Sequence, residues 1–300
     1  MSDSERADLV VVGAGTIGGW ASWFAATSGV GKVVVLDRGQ AGQGASSRAA
    51  GVVRAQGGTP PTVALGRWSI DFYNRQRAEI GIDSGFRALG YIILAVTEED
   101  ERMGRDRVAM QRAEGLPVDW LTADEAVALS STLSPHGHRG GSHIATDGYI
   151  DPPRNVRAYT QAMAAAGVEL REGVAFTGLR TSPLRGGGRR VDAVETSAGP
   201  IETERVILTG GPGLREVGRV AGMRIPVGAV RHTVAMLEPA DAFEAPQPMV
   251  FDIGAGLYWR LEEGGLLFGW SDPNERPGEA RRIDWAAYDA MRERLAAFVP

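Results

Sequence analysis

The sequence predicts an α/β fold: a Rossmann-like parallel sheet of strand–helix–strand units, joined to an α+β part built on an antiparallel sheet. Three observations carry this. A short apolar run, Leu9-Val10-Val11-Val12, ends in a glycine-rich turn that opens a helix and leads to a second apolar run, Lys32 to Leu36. Short strands at 168–171, 174–179, 191–196 and 201–203 are followed by a further apolar run, Arg205 to Leu208, that meets Gly210-Gly211. This is the pattern of a β-meander crossover returning to the first sheet. The last third reads as strands at 227–237, 249–253, 257–261 and 266–270, with Glu262-Glu263-Gly264-Gly265 as the turn of the final pair.

Composition narrows the class. A chain of 300 residues has room for about two domains. Apolar residues at 43% and charged residues at 23% fit a globular protein and argue against disorder or a fibrous repeat. The net charge of −5 offers no general attraction to nucleic acid. Lys32 is the one lysine among 32 basic residues, which reads as codon bias. With no cysteine, disulfides, iron–sulfur clusters, thiolate zinc sites and cysteine nucleophiles are excluded. The polar, acidic start lacks the basic region of a secretory signal, and no apolar run reaches the ~20 residues of a membrane span. The expected location is cytoplasmic.

The first turn, Gly13-Ala14-Gly15-Thr16-Ile17-Gly18, sits between a strand and a helix whose Ile17, Trp20, Ala21, Phe24 and Ala25 are spaced for one buried face. Asp37 ends the next strand, 19 residues beyond Gly18, close to the offset of about 20 expected for an acid that takes a ribose diol. Each glycine has a reason. Gly13 permits the tight turn, Gly15 lets backbone approach a pyrophosphate at the helix N-terminus, and Gly18 lets helix and strand pack closely. Asp37 would repel a 2′-phosphate, an argument that the neighbouring Arg38 weakens. The alternative is an ordinary glycine-rich βα turn. Residues 39–58 then form a small-residue loop holding Ser46, Ser47, Arg48, Gly51 and Arg54. Its backbone N–H groups, hydroxyls and guanidinium groups can surround an anion and reach toward a flavin ring. The alternative is a flexible surface loop, against which stands the apolar Gly51-Val52-Val53.

Further along, 62–80 reads as a helix with Val63, Leu65, Trp68, Phe72 and Gln76 at roughly helical spacing, and 86–96 as a strand. Thr97 opens a charged helix, Thr122 to Glu125 is a capping box, and Pro152-Pro153 starts a helix carrying Val156, Tyr159 and Met163. Ser197-Ala198-Gly199 joins two strands as a hairpin. Residues 283–298 form a final helix with Ile283, Ala287, Met291, Leu295 and Phe298 together. His136, His138 and His143 lie in PHGHRGGSH, read as a solvated loop with no fixed carboxylate to complete a metal site. His232 reads as structural. No metal site and no Ser-His-Asp arrangement is expected.

Together the segments VVVGAGTIGG (10–19), VVVLDRG (33–39), GASSRAAGVVR (44–54), TDGYIDP (146–152), AAAGVELREG (164–173), VILTGGPG (206–213), PVGAVRH (226–232) and LYWRLEEGGLLFGW (257–270) carry a resemblance. The chain resembles the FAD-dependent oxidoreductases of the D-amino-acid oxidase type, within them the sarcosine oxidase, dimethylglycine dehydrogenase and proline dehydrogenase β-subunit group. The resemblance implies an FAD-binding domain at 1–86 and 146–222 and a substrate domain at 87–145 and 223–300. It implies oxidation of the C–N bond of a small amine or amino acid, with hydride passing to flavin N5, and oxygen or another electron acceptor. It assigns Gly13, Gly15, Thr16, Ile17, Gly18, Asp37, Arg38, Ser46, Ser47, Arg48, Gly51, Val174, Gly210 and Gly211 to FAD, and Arg54, Tyr258 and Arg260 to the substrate side. The lack of cysteine excludes a cysteinyl-flavin linkage, and no matched position supports a link through one of the four histidines, so the FAD is expected to be non-covalent. The chain departs from the pattern in three ways, the first being Gly51, which sits where some relatives carry a basic residue over the flavin. Ser271 stands where sarcosine-type oxidases can carry histidine, and nothing after Gly269 matches the family's Gly-x-x-Gly-His-Gly element. The expectation is therefore a chain cut short, one completed by a partner subunit, or an FAD-binding inactive subunit. An NAD-linked dehydrogenase is a further alternative.

Overall fold

The computed structural model describes residues 5–240, 243, 246–278 and 282–299. Its first sheet has the order Val206–Leu208, Leu9–Val12, Val33–Leu36, Glu169–Arg171, with every neighbour parallel. The two central strands are buried at each position, which explains their unbroken apolar runs: both faces are covered. Leu9, Val11, Val33 and Val35 pack with Trp20, Ala158, Tyr159 and Met163 from the helices Thr16–Thr27 and Pro152–Ala165. Val10, Val34 and Leu36 pack on the opposite side with Val194 and Ile201. Those two residues belong to an antiparallel meander of Phe176–Pro183, Arg189–Thr196 and Ile201–Glu202. The chain then returns beside the first strand, pairing Val206 with Val10 through Leu208 with Val12.

The second sheet has seven strands, in the order Thr233–Leu237, Gly265–Trp270, Leu257–Glu262, Met249–Asp252, Tyr91–Leu94, Gly141–Ile144, Asp119–Leu121. It is antiparallel throughout, except that Met249–Asp252 runs parallel to Tyr91–Leu94. That junction joins segments distant in sequence, so no hairpin dictates its direction. Alternation along these strands splits the side chains between two faces. Ile92, Leu94, Val250, Trp259 and Phe268 pack with Met291 and Leu295 of the last helix. Tyr91, Ile93, Met249, Phe251 and Tyr258 form a separate cluster on the other face. The Leu257–Trp270 hairpin turns on Glu263 (φ 49°) and Gly264 (φ 82°), the two left-handed residues that a type I′ turn needs.

Several boundaries and faces differ from expectation. The 86–96 strand contracts to Tyr91–Leu94, with only an isolated bridge from Arg87 to Tyr149 before it. The 227–237 strand contracts to Thr233–Leu237, and the final helix spans Trp285–Leu295. Ile17 is 75% exposed, because the first helix turns Gly18, Gly19 and Trp20 inward and Gly19 sits against the Tyr159 ring. Leu65 and Trp68 are exposed for a similar reason: the helix Pro60–Ile80 buries Gly66 on the backbone of Arg54 and Ala55. Ile283 is also exposed. His138, expected in solvent, is buried; its Nε2 lies 3.0 Å from the Ser134 carbonyl and its Nδ1 accepts from Gly140 N–H. Burial pushes its pKa down. The expected capping box at Thr122 is present, and the helix starts expected at Thr97 and at the two prolines are capped as well, by Thr97 and Asp151, each side chain accepting a backbone N–H.

Candidate functional site

The carboxyl ends of the parallel strands open into a cleft of about 230 Å³ lined by Gly13, Gly15, Asp37, Arg38, Ser46, Val174, Gly210 and Gly211. The turn is built for close approach. Gly13 has φ 107°, and a Cβ there would lie 2.5 Å from the Thr209 carbonyl oxygen. A Cβ on Gly18 would run into the Gly13 carbonyl oxygen and lie 2.5 Å from Thr209 Oγ1, so the helix can sit this close only with glycine there. Gly15 caps the helix without a side chain of its own, and the Thr16 N–H donates instead to Ser46 Oγ at 2.9 Å. Tyr159 donates its hydroxyl to the Ala14 carbonyl at 2.8 Å, and Asn155 Nδ2 donates to Thr16 Oγ1 at 3.2 Å. Both come from the Pro152–Ala165 helix and hold the turn from behind. Sequence reasoning gave them no such role.

Asp37 accepts from Ala14 N–H at 2.9 Å and Gly39 N–H at 2.8 Å, which fixes its carboxylate at the cleft edge. Val174 is placed by its N–H donating to the Asp37 carbonyl at 2.9 Å. Val217 and Val220 add apolar wall. A glycine cradle that a Cβ would fill, a helix N-terminus, a half-buried acid and an apolar side together fit the diphosphate, ribose and base of a dinucleotide. Ile17, Gly18, Ser47 and Arg48 do not line this cleft.

Ser46 is shared with a second cleft of about 530 Å³, which also takes in Thr16, Gly51, Val52, Arg54 and Tyr73. Gly51 has φ 77° and packs on the Ile150 carbonyl oxygen, so it shapes the loop. The ladder Val52–Val53 with Gly148–Tyr149 fastens this loop to the TDGYIDP segment. Arg54 projects from it, exposed, with its guanidinium carbon 5.8 Å from the Tyr91 ring centre and 5.7 Å from that of Phe251. Tyr258 packs edge-on against Phe251 at 6.4 Å, and burial pushes its pKa up to about 12. Arg54 and Tyr258 thus meet through Phe251. Tyr91 and Phe251 were missed, because their face is set by the cross-strand register that pairs Phe251 with Tyr258 and Met249 with Tyr91, which no local pattern shows.

Arg260 is placed differently. It is 2% exposed, and its Nε donates to the Ala50 carbonyl at 3.2 Å. Its Nη1 donates to the Leu261 carbonyl and pairs with Glu262, and its guanidinium lies 3.8 Å from the Tyr149 ring centre. Burial pushes its pKa down. These contacts tie the sheet to the loop that precedes Arg54.

The family described as FAD dependent oxidoreductase (DAO) matches residues 8–300. The chain belongs to this family. FAD is the family's cofactor, and the glycine cradle, helix N-terminus and Asp37 are suited to hold it. Over 303 residues the chain is 29% identical to 4-methylaminobutanoate oxidase (formaldehyde-forming) of Paenarthrobacter nicotinovorans, covering 97% of this chain and 36% of that protein. It is 28% identical to mitochondrial sarcosine dehydrogenase of Mus musculus, covering 89% of this chain and 29% of that protein. The chain therefore spans about a third of the length of these curated relatives. The crystal structure of glycine oxidase from Geobacillus kaustophilus superposes with a TM-score of 0.80 at 27% identity, over 99% of this chain and 78% of that one. Among the described residues no cluster is arranged to hold a metal, and no helix is long and apolar enough to cross a membrane.

Proposed function

We propose that this chain binds FAD non-covalently and oxidises the C–N bond of a small amine or amino acid that carries a carboxylate. The observation that carries this reading is Arg54: a guanidinium held at the mouth of a cleft that continues, through Ser46, into the glycine-rich cleft. Bound FAD would supply the hydride acceptor. The chain's own residues bind and orient. Gly13, Gly15, Ser46 and Asp37 hold the dinucleotide, with Val174, Gly210 and Gly211 lining its cleft. Arg54 takes the substrate carboxylate in a bidentate pair. Tyr91, Phe251 and Tyr258 give the substrate an apolar, partly dry wall, against which an uncharged amine is favoured over an ammonium. Residues 1–86 and 146–222 would form the FAD-binding part, and 87–145 and 223–300 the substrate part.

The test is a flavin-reduction screen under anaerobic conditions with sarcosine, dimethylglycine, proline and D-amino acids. A yellow protein bleached by one of these, with bleaching lost in Arg54→Ala, supports the reading. A yellow protein that no amine reduces supports an FAD-binding subunit without turnover. A colourless protein that binds NAD overturns both.

A further inference from the structure

Asp147 is a buried carboxylate that lies directly behind Arg54. It is fully shielded from solvent. Its Oδ1 accepts the Ala55 N–H at 2.9 Å, and its Oδ2 accepts the backbone N–H and the side-chain amide of Gln56, both at 3.4 Å. Its carbonyl accepts the Gly90 N–H at 2.9 Å, one residue before Tyr91. Gln56 extends the network. Its Nε2 donates to the Tyr91 carbonyl at 3.0 Å, and its Oε1 accepts from Ser142 Oγ at 2.7 Å. Thus the segment that carries Arg54 and the strand that carries Tyr91 both hang from Asp147. Backbone alternation, with Ala55 buried and Arg54 exposed, sends the guanidinium to the open side while its own segment stays fixed from below.

The charged and titratable groups around Asp147 are few. From the 53–56 segment there is Arg54, and from the adjacent strand Tyr91, whose own proton is held by burial. Tyr258 stands beyond Tyr91. On the strand Gly141–Ile144, His143 is held toward the neutral form by burial, and its charged neighbour is Asp119. Arg87 and Tyr149, bridged through their backbones just past Asp147, face Arg260. Arg54 is accordingly the cation that faces this carboxylate.

We propose that Asp147 is a positioning residue of the anion site at Arg54, and that binding of a carboxylate there is coupled to uptake of a proton by Asp147. This rests on the reading of Arg54 as the carboxylate-binding group. The physics is direct. Burial pushes the Asp147 pKa up to about 6 against the hydrogen bonds from Ala55 and Gln56, and Arg54 adds a smaller lowering effect. A carboxylate on Arg54 brings a second negative charge close to Asp147 and neutralises the guanidinium that stabilised it. Both effects favour the protonated acid. By linkage, carboxylate affinity then rises as pH falls through the Asp147 titration. A rise in its pKa of about half to one unit on binding corresponds to roughly three- to tenfold tighter binding at low pH.

The test is calorimetric titration of the purified protein with benzoate, an anion above about pH 5, between about pH 5.5 and pH 7.5. Two buffers of different ionisation enthalpy count the protons taken up. The expected result is roughly two- to sixfold tighter binding at pH 5.5 than at pH 7.5, with fractional proton uptake between about pH 6 and pH 7. Both should be lost in Asp147→Asn, which binds with one affinity across the range. A flat wild-type profile with no proton uptake overturns the proposal, as does an unchanged slope in Asp147→Asn. If that variant does not fold, the wild-type proton count decides alone. Arg54→Ala separates the two ideas. Unimpaired benzoate binding in Arg54→Ala, or none in the wild type, overturns the Arg54 reading and this proposal with it. Binding that needs Arg54 but ignores pH overturns only the role of Asp147.

Discussion

Replacing Arg260 by methionine distinguishes a substrate-binding arginine from one that builds the site. Methionine keeps the length and apolar bulk of the side chain and removes its charge and donors. The Ala50 carbonyl, in a residue 8% exposed, then loses its 3.2 Å partner, and an unsatisfied buried acceptor costs about 1–3 kcal/mol. The stacked contact with Tyr149 at 3.8 Å contributes about 0.5–2 kcal/mol. The Glu262 side chain is 27% exposed and can rehydrate, so loss of that pair adds at most about 1 kcal/mol. Relief of the buried guanidinium's desolvation offsets part of this, leaving a net destabilisation of about 2–4 kcal/mol. For a chain of this size that lowers Tm by roughly 4–8 °C. The assay is thermal unfolding followed by circular dichroism, with Arg260→Lys as a control that keeps the charge and recovers part of the loss. A shift below about 1 °C, or an intact Tm with benzoate binding abolished, would refute the reasoning and return Arg260 to the substrate.

Three further outcomes are expected. Gly13→Ala combines a φ of 107° with a Cβ 2.5 Å from the Thr209 carbonyl, so it should cost about 1–3 kcal/mol or more and yield protein without bound flavin, read from its visible absorbance; a fully yellow variant would contradict the cradle. Asp147 has a folded pKa of about 6, above its unfolded value, so between the two the unfolded chain binds fewer protons. Stability should therefore rise as pH falls from 7 toward 5, by about 1 kcal/mol from this group, and urea unfolding of Asp147→Asn should lack that part of the slope. Thr97→Ala removes the hydroxyl that accepts the Asp100 N–H in the capping box of the Glu98–Ala113 helix, leaves the residue 97 N–H on Asp100, and should cost about 1 kcal/mol in urea unfolding, with flavin content unchanged.

Much of the glycine-lined cleft was legible. Gly13, Gly15 and Asp37 could be found because the motif is short-range: turn, helix start and acid lie within thirty residues, each with its own steric or hydrogen-bonding reason. Gly210 and Gly211 do line the cleft. The same holds for the capped helices. Ile17, Leu65 and Trp68 were misjudged because periodicity treats a glycine as neutral. In this fold Gly18, Gly19 and Gly66 are the contact surface, so the helices roll to place them inward. His138 was misjudged because a polar loop gives no sign of whether another segment will cover it.

The substrate side was legible only in outline. Tyr258 and Arg260 share a face by period two, but nothing local says that one meets Phe251 near Arg54 and the other is consumed by Ala50, more than two hundred residues earlier. Asp147 could be quoted as part of a motif, yet its burial and its grip on Ala55 and Gln56 arise from segments ninety residues apart. By itself the sequence determined the strands, caps and glycine turn, because those depend on sterics and hydrogen bonds between near neighbours. Tertiary structure decided which strands run side by side, which helix faces are inside, and which charged groups stay free to meet a ligand. Those outcomes depend on burial and pairing between distant segments, where desolvation decides the role of each charge.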